Sequence, residues 1–202
     1  RHHGEMSCVN LSTALHRLAR LTKDHRQHFS HQTAGFATLL KATHRELEGQ
    51  LTGNNTVAMP RCWATIAWSL ATLQVKDGNT VTILAILSTP HVATFNPLEI
   101  TNLLWACAKL QVADAALFQV AHDHIMTRTW HFTQTNLSTI VWAYATVNCT
   151  PSVSMLCQVA RQFVHGLREA PSVSPVEISN LMWGLATLQL HLKPQLFREL
   201  GH

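Results

Sequence analysis

One apolar pattern recurs along this chain and restricts what it can fold into. ITNLLWACAKLQV at 100–112 is matched by WATIAWSLATLQV at 63–75, LSTIVWAYATVNC at 137–149 and ISNLMWGLATLQL at 178–190. Aligned on Trp68, Trp105, Trp142 and Trp183, the copies stand 37, 37 and 41 residues apart. A fainter copy, ALHRLARL at 14–21, has His16 at the Trp position and lies 52 residues before Trp68. Self-similarity at such a period marks a solenoid: each unit is one supersecondary piece that cannot bury its apolar surface alone and must stack on neighbours.

Each unit reads as two helices. In the third copy Ile100, Leu103, Leu104, Cys107, Ala108 and Leu110 fall at helical spacing over roughly 98–112. Pro97 and Pro175 stand where a helix begins. Second helices are expected at 79–89, 114–128 and 152–168, and from Pro194 onward, with Asp114 and Ser152 as N-caps. The expected architecture is all-α, about five stacked helix pairs of 37–41 residues. Residues 1–59 form a degenerate, basic first unit with an insertion. Four clearer units follow at about 60–96, 97–133, 134–174 and 175–202.

The first helix of each unit is apolar or small around most of its circumference, as suits a helix shielded on three flanks. What remains is a strip at i, i+4, i+7, which share one face. It holds Asn102, Ala106 and Lys109, then Thr65, Ser69 and Thr72, Thr139, Ala143 and Thr146, and Asn180, Gly184 and Thr187. The faint copy has Thr13, Arg17 and Arg20. Two readings of the small central residue stand side by side: it lets an extended ligand approach the backbone, or it admits an adjacent helix. The repeated Trp lies beside the strip and suits either base stacking or helix packing.

Charge bears on partners. The net charge is +4, yet residues 1–61 carry eight Lys/Arg against four Asp/Glu, while residues 62–202 carry seven of each. The excess comes from Arg17, Arg20, Lys23, Arg26, Lys41, Arg45 and Arg61, the best phosphate-contact candidates. The five cysteines form no CxxC pair and read as core residues in a reducing compartment. Among fourteen histidines, His122 and His124 do not share a helix face, and although His25 and His28 could, no zinc spacing exists. Neither a metal nor another cofactor is expected, and histidine reads as a surface residue in place of scarcer charges. No nucleophile elbow, phosphate loop or HExxH occurs, so no enzyme is expected. No apolar run reaches the roughly 18–20 residues of a membrane span. The sequence opens on Arg1, as a processed or truncated chain would, and FRELGH ends within a helical pattern, as a continuing array would.

The four Trp-bearing segments quoted above share the form φxxLLWAxAxLxV within a helix pair of about 38 residues. In this the chain resembles the octotricopeptide repeat family of organellar RNA-binding helical-repeat proteins, and beyond it the FAST-kinase-like proteins. The likeness covers about residues 60–202. It implies a right-handed α-solenoid that binds and stabilises organellar RNA, in a mitochondrion or a plastid. Ribosomal RNA, within a mitochondrial ribosome or another ribonucleoprotein with its neighbouring proteins, is the foremost case. The RNA-binding residues expected are Thr13, Arg17, Arg20, Arg26, Thr65, Thr72, Asn102, Lys109, Thr139, Thr146, Asn180 and Thr187. No RAP-type domain is visible after the repeats. The rival expectation is a protein–protein scaffold without RNA contact.

Overall fold

The structure is a computed structural model and describes residues 6–25, 33–53, 57–75, 77–169 and 173–188. All regular structure among the described residues is helical. The helices are α1 (Cys8–His25), α2 (Ala34–Thr52), α3 (Pro60–Thr72), α4 (Gly78–Ser88), α5 (Pro97–Lys109), α6 (Ala115–Arg128), α7 (Gln134–Thr146), α8 (Val153–Glu169) and α9 (Pro175–Thr187). Short 3-10 turns follow α4 and α6 at Thr89–Thr94 and Thr129–His131.

Local chemistry sets these bounds. Pro97 and Pro175 open α5 and α9, where the missing N–H costs nothing. Asn96 with Glu99, Thr133 with Asn136, and Ser174 with Glu177 form reciprocal capping boxes. Asp114 accepts from the Leu117 amide at 2.8 Å, and Ser152 Oγ accepts from the Met155 amide at 3.1 Å. The first helices also end alike. Gln74, Gln111 and Asn148 take left-handed φ values of 57°, 59° and 55°. The following amides of Val75, Val112 and Cys149 then reach back to the carbonyls of Leu70, Cys107 and Tyr144 at 2.8–3.0 Å. This six-to-one closure explains the recurring LQV and VNC segments. A non-glycine residue in this conformation costs about 1 kcal/mol. At Gln111 that is offset where Nε2 donates to the Ala108 carbonyl at 3.0 Å.

Helices two apart in the chain are neighbours. α1 packs on α3, α3 on α5, α5 on α7 and α7 on α9. The second helices follow suit: α2 packs on α4, and α8 on α6, while α6 meets mainly the turn that follows α4. The core runs through the first helices, where Ile100, Leu103, Leu104, Leu137, Ile140 and Val141 are all 0% exposed. Polar joints pin the layers. Tyr144 donates its hydroxyl to the Phe118 carbonyl at 2.6 Å, and Gln158 Nε2 donates to the Met126 carbonyl at 3.0 Å. Trp63 Nε1 donates to Gln50 Oε1 at 2.9 Å.

One of the two readings of the strip is favoured here, and one expectation is extended. The small strip residues Ser69, Ala106, Ala143 and Gly184 are buried. A Cβ on Gly184 would lie 2.7 Å from Val141 Cγ1 and 3.0 Å from the Val141 carbonyl oxygen. The small side chain therefore seats the preceding helix, and ligand approach to the backbone there is closed. Histidine, expected on the surface, also serves as a joint. His44 Nδ1 and Thr80 Oγ1 share a hydrogen bond of 2.9 Å, and His122 Nε2 and Ser152 Oγ one of 2.8 Å. Both rings are half-buried and tie one second helix to the N-terminal turn of the next.

Candidate nucleic-acid interface

Between the exposed edges of α3, α5 and α7 lies a groove of about 500 Å³, which Lys23 of α1 also lines. Its walls are set by the repeat. Trp68 and Trp105 occupy equivalent positions in successive helices, each half-buried, with one side against the core and another on the groove. The tryptophan thus packs and lines a surface at once. His16, at the Trp position of α1, sits with its ring 5.5 Å from that of Trp68. Lys23 Nζ lies 5.9 Å from the Trp68 ring centre, a cation–π distance worth about 0.5–1 kcal/mol at an exposed site.

Part of the polar lining, Thr101, Thr135 and Asn136, is bonded within the fold, and the rest comes mainly from the ends of the strip. Thr72 on α3, Asn102 and Lys109 on α5, and Thr139 on α7 line the groove, and Gln74 adds a further amide from the left-handed turn after α3. No described lining residue carries a carboxylate, while that of Glu177 on α9 accepts from the lining hydroxyl of Thr135. The side chains of Thr72, Asn102, Lys109 and Thr139 have no hydrogen-bond partner among the described residues. The Asn102 amide alone offers two donors and an acceptor. Two cations, two aromatic faces and a row of unpaired hydroxyls and amides are what a phosphate-bearing, base-bearing strand uses.

The other expected residues are placed elsewhere. Thr13, Arg17 and Arg20 are exposed on α1, and Thr13 Oγ1 donates to the Val9 carbonyl at 2.8 Å. Thr65 is half-buried on α3. Thr146, half-buried on α7, donates to the Trp142 carbonyl at 2.8 Å. Asn180 and Thr187 lie on α9. Arg26 lies outside the described residues, as does the second helix expected from Pro194. The structure thus brings four of the twelve expected residues, Thr72, Asn102, Lys109 and Thr139, into one groove. Gln74 was missed. Its signal in the sequence was the recurrence of Gln or Asn two residues after the helix, read there as apolar periodicity alone. Lys41 and Arg45 line a separate hollow on α2, with Glu48 and Asp77 beside them.

Among the described residues no group of three His, Cys, Asp or Glu side chains could hold a metal ion. Burial pushes the thiols of Cys8 and Cys107 up to about 12, far from nucleophilic. No described helix is long and apolar enough to cross a membrane. No protein-family model matches the sequence, and no curated protein matches it.

Proposed function

We propose that the chain is a right-handed α-solenoid of about five octotricopeptide-like helix pairs that binds single-stranded RNA along its row of first helices. The observation that carries this reading is the groove, where equivalent positions of successive units supply Trp68 and Trp105, Asn102 and Thr139, Thr72 and Lys109. Bases stack on the tryptophan faces, the amides and hydroxyls meet base edges and riboses, and Lys23 and Lys109 meet phosphates. The near-neutral charge of residues 62–202 suits a chain whose neighbours share the phosphate load. On that ground, and on the family resemblance, we assign it to a ribonucleoprotein of an organelle, with ribosomal RNA of a mitochondrial ribosome as the foremost ligand.

Fluorescence anisotropy with a short labelled single-stranded RNA tests this. Affinity falls with salt, and Lys109→Ala lowers the slope of log K against log salt by about 0.7, one phosphate on a single strand. Trp105→Ala weakens binding by about 1–3 kcal/mol, the value of one stacked base. Absence of binding at low salt, or binding indifferent to both substitutions, sinks the RNA reading and leaves the protein scaffold.

A further inference from the structure

The two ends of the row of first helices differ. At the α1 end, the position that is small in every later unit, Ser69, Ala106, Ala143 and Gly184, is Arg17, and it is exposed. That position receives the preceding helix, as the Gly184–Val141 approach shows. An arginine there, with exposed Thr13 and Arg20 on the same face, makes this end polar.

The α9 end is the opposite. Ile100 and Leu104 on α5, and Leu137 and Val141 on α7, are 0% exposed because the next first helix covers them. Their equivalents on α9, Ile178 and Met182, are 46% and 56% exposed. Ser179 and Ala186 are exposed too, where Thr101, Ser138, Ala108 and Ala145 are buried. Trp183 is 47% exposed, whereas the three earlier tryptophans of the motif are half-buried against the core. The face therefore has the composition of the interior faces of α5 and α7 and, among the described residues, lacks their cover.

We infer that this α9 face docks a further helix of the same Trp-centred type, one that brings a small residue to the seat as α9 brings Gly184 to Val141. The occupant is set by the register. Each such face on α1, α3, α5 and α7 is covered by the next motif helix downstream, and the fit needs a small residue on the incoming helix, as Gly184 fits Val141. A second copy joined head-to-tail would bring Arg17 of its α1 to that seat, against the apolar Met182. The inference rests on helix packing alone and is independent of RNA binding.

Hydroxyl-radical labelling with sedimentation velocity tests it on the 202-residue chain and on two extended chains. One carries a copy of residues 134–174 after His202, the other a copy of residues 97–133. The 202-residue chain sediments as a monomer with Met182 and Trp183 readily labelled. At least one extension lowers that labelling several-fold. Met182→Lys restores Trp183 labelling in the extended chain, yet leaves the Tm of the 202-residue chain unchanged. Three results overturn the inference: Met182 protected in the monomeric 202-residue chain, a dimer that Met182→Lys dissociates, or no protection from either extension.

Discussion

Gly184→Ala separates the two uses proposed for the small strip residue, because its outcome can be worked from the geometry. The added Cβ would stand 2.7 Å from Val141 Cγ1, 3.0 Å from the Val141 carbonyl oxygen and 3.1 Å from its carbonyl carbon. Carbon atoms pack best at about 3.5–4.0 Å. Rotating the Val141 side chain relieves only the first contact, and a β-branched side chain in a helix has one strongly preferred rotamer. The two backbone atoms can be cleared only by moving α9 away from α7, which loosens Leu181 and Leu185. Overpacking of this kind costs about 1–3 kcal/mol, against which alanine returns about 1 kcal/mol of helix propensity. Gly49→Ala supplies the reference: Gly49 is exposed on α2 with nothing within 4 Å of a new Cβ, so it shows the propensity gain alone. In urea unfolding followed by circular dichroism, Gly49→Ala raises stability by about 1 kcal/mol, and Gly184→Ala lies about 1–3 kcal/mol below it. If the two glycines respond equally, α9 is not seated on α7 at this distance, and the helix-seating account of the strip is wrong.

Tyr144→Phe removes the buried hydroxyl bonded to the Phe118 carbonyl at 2.6 Å and lowers stability by about 1 kcal/mol in the same urea titration. Cys8 and Cys107 are pushed up to about 12 by burial against an ordinary 9.0; the unfolded thiols ionise first, so stability is complete below pH 9 and falls as pH rises towards 12. Neither thiol is alkylated by iodoacetamide at pH 8 without denaturant. Glu177 is held below its ordinary 4.5 chiefly by the hydroxyl of Thr135, which donates to its carboxylate. Its contribution is present above pH 4.5 and is lost as pH falls through the lower folded value, loosening α9 first in hydrogen exchange; Glu177→Gln flattens that acid dependence.

Much of the helix layout is written in local chemistry. Pro97 and Pro175 open helices, Asp114 and Ser152 cap them, and second helices expected at 114–128 and 152–168 are found at Ala115–Arg128 and Val153–Glu169. These features need only a residue and its neighbours along the chain. α2, Ala34–Thr52, was not legible as the partner of α1, because it lies outside the Trp-centred repeat and buries only Phe36, Thr43 and Leu47 fully. The groove was half legible. The polar ends of the strip were visible as a pattern, but which of them converge depends on how far each helix is offset from the last. Thr65 and Thr72 have the same spacing as Asn102 and Lys109, yet Thr65 does not line the groove.

The burial of the small position also decides how a guest meets this surface. With Ser69, Ala106, Ala143 and Gly184 committed to seating the preceding helix, no guest reaches the backbone through the middle of the strip. Contact is left to its two margins: one holding Thr65, Asn102, Thr139 and Asn180, the other Thr72, Lys109, Thr146 and Thr187. The groove draws Asn102 and Thr139 from the first margin and Thr72 and Lys109 from the second, with tryptophans set between. Side chains at the margins change from unit to unit while the seat stays small and the core apolar, since stacking constrains the seat and the core but not the margins. Thr146 is already bonded to its own helix through the Trp142 carbonyl, so the units do not present equivalent margins. Those whose margin side chains lack an internal partner, at Thr72, Asn102, Lys109 and Thr139, are the ones free to exchange water for a guest.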